Sequence, residues 1–323
     1  MIEILSTSAL NTIQDFGRPH ALHMGVSRGG AMDRLAIAHA NILLGNARDA
    51  AALEIAFFPF RARFVERTAF SLTGASCAAQ LDGRPIPSNW AMTAEAGQVL
   101  VVPAPTCGAW AYFGIRGGLD VPVVLGARGT DLKGGFGGVD GRAPEKGRRL
   151  KAGCSSVPPP GNGGFGLVRG AVLPEDDHTV LRVLPAAEHE AFTSASRTAF
   201  GELAWQVTPR ANRTGFRMDG RDALRLSRPL TLMSHGIVPG TVQVPPDGMP
   251  IIQMADANTC GGYPKIATVI ESDLRLLAQT AIGGSVRFVP VDEAGAIAVL
   301  REEARALDCL EADVERLRGG LLD

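Results

Sequence analysis

Between Val238 and Ala267 the chain sets Gln243, Asp247, Gln253, Asp256, Asn258, Thr259, Tyr263 and Lys265 among turn-forming glycines and prolines. These residue types divide into distinct chemical tasks. A lysine ammonium stabilises negative charge as it develops on an oxygen. An aspartate and a tyrosine orient a substrate or shuttle a proton. Amide and hydroxyl side chains read a neutral polar group. Three such types crowding one glycine turn make Asp256, Tyr263 and Lys265 the candidate reacting set, with Gln243, Asp247 and Thr259 as substrate contacts. The competing expectation is a buried network that only satisfies turn backbone.

Three other clusters offer charge. Arg128 and Lys133 lie in the glycine-rich run from Leu125 to Gly138. Backbone N–H groups exposed there would hold a carboxylate or phosphate, unless the two cations simply pair with Asp131. Arg213 and Arg217 present planar forks that match a carboxylate. Gln14, Asp15 and Arg18 occupy a turn near the N-terminus, where they either position a polar ligand or lock the turn as an Asp–Arg pair.

Tight turns and short strands must position these groups. The 39 glycines and 21 prolines recur every few residues between runs rich in Val, Ile, Leu and Phe, which predicts a β-dominated chain with a few helices. Strands are expected at 2–5, 53–57, 69–73, 99–103, 110–115, 179–184, 224–226, 238–244, 251–254 and 285–289. Asp82-Gly83 predicts a type I′ hairpin. A helix over 31–44 carries the stripe Leu35, Ala38 and Ile42 and stops at Gly45-Asn46, with its first N–H groups pointing into Gly29-Gly30. Further helices are expected near 188–200 and 273–279. The stripe from Ile297 through Leu317 predicts a helix over 293–318, docked on its own domain rather than on another protomer.

Residues 154–166 have linker composition, so the chain divides into lobes 1–165 and 166–323. The fragments Leu81-Asp-Gly-Arg-Pro-Ile86 and Met218-Asp-Gly-Arg-Asp-Ala223 suggest a duplicated lobe. A length of 323 residues favours two domains, and 46% hydrophobic content supports a buried core. No apolar run reaches the ~18 residues of a membrane span. Met1-Ile-Glu-Ile-Leu-Ser-Thr7 lacks the features of a signal peptide, which predicts a cytoplasmic protein. A net charge of −1 gives no field for nucleic acid.

Several motifs lack their context. Gly25-Val-Ser27-Arg-Gly29 fits a hydrolase elbow, but His20–Met24 is a poor buried strand and the histidines stand in no telling motif. Gly161-Asn-Gly163-Gly-Phe-Gly166 has the dinucleotide spacing without a following helix. There is no Gly-Lys dipeptide for a phosphate loop and no Ala-Met-Lys-Met for biotin attachment. Five scattered cysteines and six unclustered histidines support neither a disulfide scaffold nor a metal site.

Residues Thr12–Arg18, Gly30-Ala-Met-Asp33, Leu44-Gly-Asn46, Leu125–Gly138, Val238–Gly248 and Gly261-Gly-Tyr-Pro-Lys-Ile-Ala267 resemble, in order, the allophanate hydrolase subunit 2 family. That family includes the C-type component of bacterial 5-oxoprolinase, a Kip-type sporulation antagonist and half of the urea carboxylase carboxyltransferase domain. The resemblance implies two cyclophilin-like β-barrel lobes and an active site shared with an allophanate hydrolase subunit 1-type partner, the B-type component of 5-oxoprolinase, with the A-type component also required. It implies ATP-dependent opening of 5-oxoproline to glutamate, with ATP and magnesium in the assembled complex. Lys265, Arg128 and Lys133 would then stabilise developing charge, and Gln14, Asp15 and Arg18 would close the site. Gly29, Ala127, Gly129 and Ala257-Asn258 depart from the family pattern. The alternatives are the carboxyltransferase half of a biotin-dependent urea carboxylase-type enzyme and a non-enzymatic regulator that binds a Kip-type partner.

Overall fold

The computed structural model describes residues 1–168 and 178–320. It is mainly β, and the chain forms two compact units that interleave in sequence. One comprises Met1–Arg18, Asp33–Leu173 and Ala304–Asp323; the other comprises Pro19–Met32 and Pro174–Glu303.

The first unit builds two six-stranded sheets. In strand Phe60–Phe64 buried and exposed residues alternate, so one face is apolar and must be covered. The second sheet covers it: Phe64 meets Phe70 at 4.9 Å between ring centroids, and Phe60 meets Phe113 at 5.9 Å. A single buried cluster draws on both sheets, from Ile2 and Leu100 to Ile13 and Leu72. Among the described residues this lobe forms two open sheets rather than the expected closed barrel. The first sheet ends on the two-residue strands Arg149–Leu150 and Arg84–Pro85, and a proline at an edge cannot extend a ladder.

Helix α1 spans Arg34–Leu44 and lies against the second sheet of this unit. Ala36 and Ala40 allow close approach, where Thr73 and Ser71 hydroxyls donate to their carbonyls at 2.7 and 2.9 Å. The helix starts three residues later than the hydrophobic run suggests, because Asp33 is the N-cap and its carboxylate accepts the Ala36 N–H. In the glycine turn before the helix, the Gly29 N–H donates to Ala255 O. Gly45 ends α1 in the left-handed region at φ 67°. Behind the cap, the buried Tyr112 hydroxyl donates to Glu54 and accepts from the Asp33 N–H, both at 2.7 Å. Burial and the Glu54 charge hold its pKa well above the ordinary tyrosine value.

The second unit closes a seven-stranded barrel in the order 179–185, 265–269, 241–243, 251–253, 215–219, 205–207 and 285–290. Its core includes Trp205, Val242, Ile252, Ile266 and Phe288. Helices α2 (Ser194–Glu202) and α3 (Leu274–Gln279) also belong to it. Residues 224–226 form no strand; only Leu226 bridges to Phe192.

The repeated fragments have different structures. Asp82 and Gly83 take positive φ in a hairpin that pairs Leu81 with Arg84. Met218-Asp219 instead ends a barrel strand, and Gly220 is needed because a side chain there would strike the Trp205 ring at 2.5 Å.

Helix α4 spans Glu293–Gly320 and serves both units. Its later part docks on the N-terminal unit, not on the lobe it was assigned to from the sequence. Val314 packs with Ile42, Leu43 and Leu44. Arg318 donates to Leu43 O and, at 3.1 Å, to Pro158 O. A guanidinium at the C-terminal carbonyls of α1 also complements the helix dipole. Burial and neighbouring Arg116 lower the Arg318 pKa. Arg48 reaches Asp308 and Glu311 on the same stretch of α4.

Candidate functional site

The strongest candidate site lies in the barrel unit where strands 241–243, 251–253 and 265–269 adjoin. Gln243 and Lys265 are cross-strand partners, and Gln253 Nε2 donates to Gln243 Oε1 at 3.0 Å. All three side chains are buried, at 5–6% exposure. Gln243 Nε2 has no partner among the described residues. It lies over Gly261, where any side chain would collide with it. The Lys265 ammonium donates to Tyr263 O at 3.3 Å. Three N–H donors with one long bond leave a buried cation under-satisfied. Burial pushes the Lys265 pKa down, and the Glu188 carboxylate partly opposes that. Tyr263 itself is 46% exposed at the mouth of this turn.

Asp256 is held in a forked ion pair. Arg213 grips both its oxygens, Nε to Oδ2 at 2.8 Å and Nη2 to Oδ1 at 2.9 Å. The same guanidinium holds Gly30 O at 2.7 Å. A carboxylate paired with a fork is fixed in place, and through Arg213 it ties Gly30 to the barrel. Ser27, the elbow serine, donates to Ala257 O in the same seam, and the residues before it form a 3₁₀ turn, Pro19–Met24.

Other candidates scatter. Arg217 is exposed on its strand. Asp247 is exposed and accepts the Met249 N–H, a turn role. Thr259 accepts the Ile237 N–H through its carbonyl.

In the first unit, Gln14, Asp15, Arg18 and Arg128 come together around the glycine loop. Gln14 donates to Thr130 O at 3.1 Å. Asp15 accepts the N–H groups of Gly17 and Arg128. Arg18, fully buried, donates to Gly129 O at 2.6 Å and stacks over Phe136. Much of the expected exposed nest is used internally: the N–H groups of Arg128, Thr130, Asp131, Gly134, Gly135 and Gly138 are engaged within this unit. Gly138 has no room for a side chain, which would collide with Thr130 Oγ1. The Arg128 guanidinium turns to Val121 O and Asp120, while Lys133 is exposed. Asp131 accepts the Gly134 N–H.

Sequence reasoning missed Glu188, His189 and His235. Glu188 accepts the Lys265 N–H at 3.0 Å from 77 residues upstream, a pairing that no local pattern announces.

A mainly-β chain with a closed barrel and a lysine–amide cluster on a glycine turn fits a carboxyltransferase-type protein. Residues 24–290 match the family described as carboxyltransferase domain, subdomain A and B, and the chain belongs to that family. It is 38% identical over 315 residues to the C-type subunit of Escherichia coli 5-oxoprolinase, covering 96% of this chain and 97% of that one. The corresponding C-type subunit from Haemophilus influenzae is 37% identical, at 98% and 99% coverage. The chain is thus a full-length homologue of the C-type 5-oxoprolinase subunits, which are components of an enzyme. Among solved structures, Kluyveromyces lactis urea carboxylase superposes with a TM-score of 0.88 at 26% identity, covering 96% of this chain and 29% of that one. Among the described residues no helix is long and apolar enough to cross a membrane.

Proposed function

We propose that this chain is the C-type component of a cytoplasmic, ATP-dependent 5-oxoprolinase that works with A- and B-type components. The observation that carries the proposal is end-to-end similarity to two C-type 5-oxoprolinase subunits, against 28% identity over 18% of the Lachancea kluyveri urea amidolyase. Lys265 is the proposed electrophilic group. As water adds to the lactam carbon, negative charge gathers on its oxygen, the C–N bond breaks and the nitrogen leaves protonated as the amine. A buried ammonium with unused donors is suited to hold that oxygen. Gln243 Nε2 is proposed to read the lactam beside it, and Tyr263 to shape the entrance.

The described residues of this chain supply little for an ATP–magnesium site. In the glycine loop the N–H groups of Arg128, Thr130, Asp131, Gly134, Gly135 and Gly138 are already engaged, and the described residues include no cluster of three or more metal-ligating side chains. Nucleotide handling is therefore assigned to the partner components.

The test is glutamate release from 5-oxoproline and ATP by the three purified proteins. Omission of this chain should abolish it, and Lys265→Met should lower it by about 10²-fold or more. Turnover that persists without this chain would refute the assignment. Biotin-dependent carboxylation of urea, or tight partner binding with no turnover, would replace it with the carboxyltransferase or the regulatory reading.

A further inference from the structure

We infer that Glu188 and His189 act as a paired positioning clamp that sets the direction of Lys265. The inference rests on the role proposed for that lysine and adds two residues to it.

The register between strands 241–243 and 265–269 slips by one residue. Val242 faces Ala267, but Gln243 faces Lys265, leaving Ile266 as the extra residue of a bulge. A bulge re-aims a side chain, and it frees backbone groups that need other partners. Two consecutive residues supply most of them. Glu188 Oε2 accepts the Lys265 N–H at 3.0 Å, and His189 Nδ1 lies 2.9 Å from Ile266 O, placed to donate to it. The Ala186 N–H adds a bond to the same carbonyl at 3.2 Å. The bulge is thereby fastened on both sides of the Lys265–Ile266 peptide, just where the lysine leaves the ladder.

Glu188 stands at the N-cap of the 3₁₀ turn His189–Ala191 yet makes no side-chain bond to that turn. An acidic residue at a helix start ordinarily caps its own N–H groups. Here the carboxylate reaches across to another strand. Its second oxygen lies 3.8 Å from His235 Nε2, and the two residues are 12% and 44% exposed. His235-Gly236 pairs with Cys260-Gly261, which leads directly into Tyr263 and Lys265. Glu188 therefore ties both ends of the 260–265 turn. Among the described residues, the ionisable groups packed around this turn include Glu188, His189, His235 and Tyr263, and the charge that acts on the lysine is that of Glu188. That charge favours the ammonium against its burial.

The test uses the isolated full chain and then the assembled enzyme. In the first, the rate of Lys265 acylation by acetic anhydride is followed against pH by peptide mass spectrometry, with exposed Lys151 as the internal reference. Glu188→Gln keeps the acceptor but removes the charge. Its Lys265 titration midpoint should fall by roughly half a unit or more. Glu188→Ala and His189→Ala should also acylate Lys265 at least about fivefold faster than wild type, the protection lost with one hydrogen bond. His189→Asn, which can still donate to Ile266 O, should stay near wild type. Far-UV circular dichroism checks that each variant is folded, and the near-isosteric Glu188→Gln keeps the test usable if an alanine variant is not. Unchanged midpoint and rate in Glu188→Gln and Glu188→Ala would overturn the clamp whatever turnover does.

In the assembled enzyme, Glu188→Gln should shift the pH profile of kcat to lower pH with little change in KM. A shifted acylation midpoint combined with full turnover in Lys265→Met would sustain the clamp and overturn the catalytic role of the lysine.

Discussion

Asp256→Asn separates two roles for a residue the sequence presents as catalytic. The carboxylate is held at 2.8 and 2.9 Å by a guanidinium whose side chain is 7% exposed. Removing the negative charge strands that cation in a poorly solvated seam, a change that costs about 3–5 kcal/mol for a buried pair. Asp256 is 17% exposed, and water there moderates the loss to the lower end, roughly 3 kcal/mol. For a unit of roughly 150 residues this is a fall in Tm of about 6–12 °C. The assay is thermal unfolding of the isolated chain, followed by a double-mutant cycle with Arg213→Met. If the two side chains act as one strut, the double variant should recover roughly 2 kcal/mol relative to the sum of the singles. A proton-shuttling Asp256 predicts the reverse: an isosteric asparagine that leaves Tm within about 2 °C while turnover collapses. That second pattern would refute the structural assignment and return Asp256 to the reacting set.

Lys265→Met should stabilise the fold near neutral pH by roughly 1 kcal/mol, since a buried under-satisfied cation is removed, even as turnover falls by about 10²-fold or more. The lysine pKa is lower folded than unfolded, so its cost to stability is present below the folded value. The cost is relieved as pH rises toward the ordinary lysine value. Urea titrations across the alkaline range should show this rise in wild type and not in the variant. Tyr112→Phe deprives the buried Glu54 of a hydroxyl donor and the Asp33 N–H of its acceptor. It should lower the urea midpoint by the equivalent of about 2–3 kcal/mol with an unchanged m-value. Cys77 is buried, with its thiol pushed up to about 12, whereas Cys154, Cys260 and Cys309 are exposed. Alkylation of the native chain at pH 8 should modify the exposed three and reach Cys77 only after denaturation; native labelling of Cys77 would contradict its burial.

Local chemistry was readable wherever a single residue type dictates the backbone. Gly45 fixed the end of α1 and Asp82-Gly83 fixed a hairpin, because few residues tolerate those angles. The start of α1 was misplaced because Ala31 and Met32 continue the apolar run while Asp33, two residues on, supplies the cap. Asp256, Tyr263 and Lys265 read in sequence as one reacting set with Gln243 as a substrate contact, and the structure sets Gln243 opposite Lys265 across two strands. Asp256, Arg128 and Asp15 look equally functional in sequence, but their hydrogen-bond partners lie far along the chain, and only the fold shows those pairings. Glu188 was invisible for the same reason, and linker composition at 154–166 did not reveal that Phe165-Gly166 extends a sheet of the first unit.

Because residues 19–32 belong to the barrel unit and residues 304–323 to the sheet unit, neither body is contiguous in the gene. During synthesis the first unit waits for its last helix until residue 318 has emerged, since Arg318 must reach back 275 residues to Leu43. The barrel likewise cannot recruit Gly30 until Arg213 has emerged. A single cut between two halves would leave each fragment missing a piece held by the other. The chain is thus committed to late, whole-molecule folding, and nascent intermediates with unfilled faces are natural clients for chaperones.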